Sequence, residues 1–157
     1  MKWSDTMTRT TARLAAMFAA FSAVPALAGG ITLDARVLRV ETVAGTERLT
    51  PAAKAVPGDH MVYVLAYKNT GDQAARDVVL NNPVPADMLY RGAGDGGEPE
   101  MSVDGVQFGP LASLTVAGTD GSRRPARLTD VRQLRWHLNQ AIAPGASGQV
   151  SFHAVVR

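Results

Sequence analysis

The chain has 157 residues, 16 basic and 14 acidic side chains, and no cysteine. The missing cysteine excludes disulfide staples and a lipid-modified N-terminal cysteine, so stability must come from a hydrophobic core, which a chain of this length can build. The slight basic excess invites a nucleic-acid partner, but its distribution along the chain argues otherwise.

Lys2, Arg9 and Arg13 precede an apolar stretch, Leu14 to Val24, broken only by Ser22. Pro25 and the small-residue site Ala26-Leu27-Ala28 follow. This is the three-part pattern of a secretory signal peptide, with cleavage expected after Ala28. The stretch is short for a membrane span, which takes about 20 apolar residues. It also lacks the polar face of an amphipathic helix. Removing residues 1–28 leaves 129 residues with 13 basic and 13 acidic side chains. The basic surface that phosphate neutralisation requires is then gone, and we expect no nucleic-acid partner. No later apolar run approaches spanning length, so no integral membrane segment is expected in the mature chain. Residues 29–157 read as one exported domain, either periplasmic or extracellular at the cell surface.

Short alternating segments between Gly, Pro, Asn and Asp clusters then predict an all-β fold. ITLDARVLRVE (31–41) alternates, but its period slips by one at Val37-Leu38. A bulge, or a strand that switches sheets, is expected to absorb the slip. HMVYVLAYKN (60–69) is apolar on both faces and predicts a central strand. ARDVVLNN (75–82), MLYRG (88–92), VQFG (106–109) and LTVAG (114–118) are shorter strand candidates. A helical turn is expected near Leu128 to Val131, capped by Thr129. RQLRWHLN (132–139) and GQVSFHAVVR (148–157) are the last two strands. GAGDGGEP (92–99) and GTDGSRRPAR (118–127) read as mobile loops. The whole predicts a sandwich of about seven to nine antiparallel strands. Its expected core includes Val62, Tyr63, Val64, Leu65, Val78, Leu134, Trp136, Val150 and Phe152.

Several motifs occur in a fixed order. Pro57-Gly58-Asp59 opens the central strand, Tyr63 lies within it, and Asn69-Thr70-Gly71-Asp72 closes it. Val78-Val79-Leu80 leads to Pro83-Val84-Pro85-Ala86. Trp136 precedes Pro144-Gly145-Ala146-Ser147 and the final strand. This order resembles the bacterial domain-of-unknown-function-eleven family, the conserved-repeat domain, over most of residues 31–157. The resemblance implies an immunoglobulin-like β-sandwich in exported proteins, with a structural or adhesive role and no catalytic residues. Two departures stand out. The motifs occur once here, whereas the family's domain recurs in arrays. Asn82 stands where the family places an acid before the proline.

Candidate sites compete with plainer readings. His60, His137 and His153, with Met61, Met88 and Met101, carry the imidazole and thioether groups that suit copper. The histidines lack ligand spacing, and His137 and His153 can meet only if the last two strands pair. Solvent-facing strand residues are the favoured reading. Arg123, Arg124, Arg127, Arg132 and Arg135 form a basic cluster that could contact an anionic ligand, or could be a solvated loop balanced by Asp120 and Asp130. Ser102 to Phe108 resembles an Asp-box, but a turn explains it better. Asp72 and Asp77 flank a short connection with no cleft signature, and no G-x-S-x-G is present. Lys54 or Lys68 could enter an isopeptide bond only with an asparagine and an acid beside it. We therefore expect no catalysis, cofactor or metal. The expected protein is an exported structural or binding module of the cell envelope. It would act on an envelope or surface protein or on a surface ligand, for instance by pairing an edge strand with a partner. The alternative is a small periplasmic copper-type metal-binding protein using His137 and His153.

Overall fold

His60 to Asn69 carries apolar side chains on both faces, and such a segment is stable only with neighbours on both edges and cover on both sides. The computed structural model, which describes residues 30–52 and 54–157, gives it neighbours on both edges, residues 31–39 on one and 147–155 on the other. The expected leader and its cleavage site lie outside the described residues. Among the described residues the strands are β1 (Ile31–Val43), β2 (Thr46–Pro51), β3 (His60–Asn69), β4 (Val78–Pro83), β5 (Met88–Ala93), β6 (Glu100–Ser102), β7 (Thr115–Ala117), β8 (Arg123–Pro125), β9 (Gln133–Leu138) and β10 (Ser147–Val156).

They form an all-β sandwich of antiparallel sheets. One sheet has the order β2-β1-β3-β10-β5, the other β4-β9-β6, and β7 and β8 form a separate two-stranded arm. Without the β2 extension the division is four strands against three, as in a constant-type immunoglobulin domain. The connections differ at two places. The final strand β10 lies between β3 and β5, the position that the fifth strand holds in that domain. The fifth main strand, β6, flanks β9, where the last strand would lie.

Phe152 is the centre of the core. Tyr63 stacks on it at 4.8 Å between ring centroids, with Tyr90 at 6.0 Å and Trp136 at 6.5 Å. Trp136 comes from the smaller sheet and the other three from the larger, so the aromatic group joins the two layers. Of the expected core, Val62, Val64, Leu65, Leu134, Trp136, Val150 and Phe152 are buried, while Tyr63 and Val78 are partly so.

The period slip in β1 is real, but no bulge or change of sheet absorbs it. Its register with β3 is unbroken from Ile31 opposite Asn69 to Arg39 opposite Met61. The strand instead changes which face is apolar. Leu33, Ala35 and Val37 share the inner face with Tyr67, Leu65 and Tyr63, whereas Leu38 and Val40 share the outer face with Val62 and Leu49. The inner face beyond Val37 carries Arg39 and Glu41, which form an ion pair with each other.

β2 is not among the expected strands. Ala44 and Gly45 both have positive φ, 49° and 79°, and Val43 pairs with Thr46. This is a two-residue type I′ hairpin, a turn usually announced by Asn-Gly or Asp-Gly. Alanine in the left-handed region costs energy that asparagine largely avoids. Replacing Ala44 by Asn should therefore raise stability by about 0.5–1 kcal/mol in thermal or urea melts. An unchanged or lowered midpoint would mean that this turn is not strained by its alanine.

Three other expectations change. VQFG (106–109) is not a strand. The strand lies earlier, at β6, and a single bridge joins Met101 to Gly109. Asp104 closes the turn between them, its Oδ1 accepting from the N–H groups of Val106 (2.8 Å) and Gln107 (2.9 Å). That is the turn reading of the Asp-box-like motif. Residues 118–127 hold β8 and fold back on β7. Residues 92–99 are tied along β10, where the Gly94 and Asp95 N–H groups bond the Ser151 carbonyl (2.8 Å) and hydroxyl (2.7 Å). Gly96, at φ 88°, lies so close to Val150 that a Cβ would collide with it. The glycines of this loop let it pack against β10, which composition alone does not reveal.

Candidate binding cleft

The two sheets are unequal in width. Trp136 of β9 lies over Phe152 of β10, so β4, the next strand in the smaller sheet, lies towards β3 and β1. Among the described residues no strand continues past β4, and the inner face of β1 is left uncovered by them: Leu33 is 42% exposed and Val37 37%. The space between encloses a cleft of about 540 Å³. Ala35 and Val37 form its floor on the β1 side. Tyr63, Phe152 and Trp136 form its inner wall, and Asn82 and Pro83 its β4 side.

Arg36, Asn82 and Asp87 are among the residues that border this apolar space, and two features bear most on what it can bind. Asp87, in the turn between β4 and β5, is the carboxylate among the lining residues. Its side chain makes no ion pair among the described residues. Nearby, burial pushes the Tyr63 hydroxyl up to about 12, and the Asp87 charge adds to the shift. Tyr63 is therefore a neutral hydrogen-bonding group at all ordinary pH. The second feature is backbone. The Val84 N–H donates to the Arg132 carbonyl at 2.8 Å, so by antiparallel alternation Val78, Leu80 and Asn82 also point to β9. The N–H and C=O groups of Val79 and Asn81 then point to the open edge, and neither residue makes a further backbone hydrogen bond among the described residues.

Asn82, where the resemblance leads one to expect an acid, donates through Nδ2 to the Pro83 carbonyl at 3.1 Å. A carboxylate has no donor for that carbonyl, so the amide suits this position. The sequence alone could not place Asn82 on a cleft wall, because that depends on the facing sheet.

The histidines do not meet. The last two strands do not pair: His137 is on β9 and His153 on β10, in different sheets. Each alternates with buried residues, so the two project from opposite outer faces. His137 lies 3.2 Å from Glu100. Met61, Met88 and Met101 are buried in the core. Among the described residues no three His, Cys, Asp or Glu side chains cluster as metal ligands would. Lys54 and Lys68 are exposed and form no side-chain pair with an asparagine or acid among the described residues.

The arginines divide among separate structural contacts. Arg124 holds Asp130 through two hydrogen bonds, 2.7 and 2.8 Å, and Arg123 donates to Thr115 at 2.9 Å. Arg135 lies over the Phe108 ring at 3.5 Å and donates to Asn81 at 3.0 Å. Arg132 donates to the carbonyls of Thr129 and Val131, both at 3.1 Å. Arg127 begins a 3₁₀ turn, Leu128–Asp130, where a helical turn was expected. The capping group is Asp130, not Thr129, and it accepts from the Arg127 N–H at 2.8 Å.

Asp130 gives a pH prediction. Its hydrogen bonds from Arg124 hold its carboxyl down at about 2, against an ordinary value of 3.8, with smaller help from the Arg127 N–H and the Arg132 charge. A lowered folded-state value means that the ionised form stabilises the fold. That contribution is complete above the ordinary value and disappears as pH falls towards about 2. The carboxyl NMR resonance of Asp130 should titrate near that value, and Asp130→Asn should flatten the loss of thermal stability on acidification. Titration at the ordinary value would remove the Arg124 pairing.

Comparison of the chain with protein-family models, curated proteins and solved structures returns no match. The cleft must therefore be read from its own chemistry.

Proposed function

We propose that this protein is an exported, non-catalytic binding module of the bacterial cell envelope, and that its recognition surface is the cleft between β1 and β4. The observation that carries this reading is the uncovered inner face of β1 beside an unpaired strand edge. An exposed apolar face next to free backbone donors and acceptors is what strand-adding recognition uses. Catalysis finds less support. Among the described residues the cleft offers one carboxylate and no second acid or histidine to act with it, and acid–base chemistry draws on groups with separated proton affinities. The resemblance to the conserved-repeat family and the leader-like residues 1–28 support the envelope location.

The test is capture by cross-linking in the intact envelope, using the full chain and a Val37→Glu variant. Val37 is partly exposed, so the charge alters the cleft more than the core. A partner recovered with the parent chain and lost with the variant supports the reading. Equal recovery by both would discard the cleft as the recognition surface. Export is tested separately by fractionation and N-terminal sequencing. A mature chain retaining residues 1–28 in the cytoplasm would discard the envelope assignment.

A further inference from the structure

Resting on that reading, we infer that the cleft takes one extended strand of a partner protein, with alternate apolar side chains and a basic residue at the end that reaches Asp87. Three features specify this occupant. The first is backbone. Val79 and Asn81 offer two N–H and two C=O groups along the open edge of β4, spaced as a paired strand requires. Pro83 has no N–H, so pairing by that edge ends there.

The second is side-chain pattern. A strand laid beside β4 continues the smaller sheet over β1. Every second side chain of the incoming strand then points at Leu33, Ala35 and Val37, while the alternate ones face solvent. An alternating sequence satisfies both sides, and a uniformly polar one does not. Covering Leu33 and Val37 completes the second layer that the smaller sheet leaves unfinished.

The third is charge. Beyond Pro83 the chain turns, and the Met88 N–H bonds the Pro85 carbonyl at 2.9 Å. Asp87 sits in this turn at the end of the cleft, beside Tyr63 and without an ion-pair partner among the described residues. Arg36 also lines the cleft, but its Nε lies 3.3 Å from Asp34, and alternation along β1 sets both on the face opposite Val37. Arg36 makes no ion pair with Asp87 among the described residues. A lysine or arginine at the matching end of the incoming strand meets an unpaired carboxylate, and an acid there meets repulsion.

Two synthetic peptides of alternating Val and Thr test this, one ending in Lys and the other in Glu at the same position. Calorimetric titration of the full chain should show the Lys peptide binding about three- to tenfold tighter, the range for a solvent-accessible charge pair set against its reversal. Asp87→Lys should invert the preference. On binding, the amides of Val79 and Asn81 should become protected from hydrogen exchange while Val37→Glu abolishes the titration. Equal affinity for both peptides, or loss of preference without protection of those amides, overturns the inference. If neither peptide binds but Val37-dependent capture in the envelope persists, the strand is overturned and the binding-module reading stands. If peptides bind equally to parent and Val37→Glu chains, both fall.

Discussion

Replacing Trp136 by Ala lowers stability by about 3–5 kcal/mol, the range for emptying a large aromatic site in a core. The indole is 3% exposed and packs across the sandwich against Phe152. Its Nε1 also donates to the Gly97 carbonyl at 3.2 Å, so the substitution opens a cavity and frees the loop tied along β10. A domain of this size has a total stability of about 5–15 kcal/mol, so the loss is a large share. The melting temperature should fall by about 10–20 °C. Trp136→Phe keeps most of the packing and loses the hydrogen bond, so it should fall between. A Trp136→Ala protein that melts with the parent would remove the indole from the inter-sheet core.

Asn69→Ala should cost about 2–4 kcal/mol for a different reason. Asn69 is fully buried. Its Nδ2 donates to the carbonyls of Gln73 (2.7 Å) and Ile142 (2.8 Å), and its Oδ1 accepts from the Gly71 N–H at 3.0 Å. Its own N–H and C=O bond Ala146 (2.9 Å) and Gly145 (2.8 Å). One side chain thus joins the turn that closes β3 to the turn that opens β10. Alanine removes three hydrogen bonds at once; the Ile142 carbonyl keeps the Ala75 N–H at 3.0 Å, but the Gln73 carbonyl and the Gly71 N–H lose this partner, and each such loss is costly. Asn69→Asp sharpens the test. Its carboxylate would face two carbonyls, which raises the carboxyl's folded-state proton affinity above its unfolded value. The protonated form can donate to one carbonyl. Stability would therefore be greatest at low pH and lost as pH rises through the raised value. A variant whose midpoint follows the parent's pH dependence would place the Asn69 side chain outside this network.

Both residues were legible to different degrees. The alternation of Leu134, Trp136 and Leu138 with polar neighbours marks Trp136 as a core residue, a local pattern that survives any arrangement of the sheets. Asn69-Thr70-Gly71-Asp72 marks a turn at the end of β3, which fits the Asn69 bond to the Gly71 N–H. The Asn69 bond to Ile142 was not legible, since it depends on β10 entering beside β3. Ala44 concealed a hairpin because the local signal for a left-handed turn is asparagine or aspartate. His137 and His153 illustrate the same limit. Alternation places each on the outward side of its strand, but only the strand order shows that the two outward sides are opposite.

By itself the sequence determined the all-β class, the double-faced burial of β3, most strand positions and the inward residues of β9 and β10. These follow from side-chain period and turn chemistry, which act within a few residues. The tertiary structure decided that β10 rather than β6 lies beside β3, that β4 ends the smaller sheet above an uncovered β1, and that Asp87 comes to Tyr63 at the end of the resulting cleft. Those relations join residues tens of positions apart. They depend on which sheet each strand enters, a choice made by packing the whole core and not by any one segment.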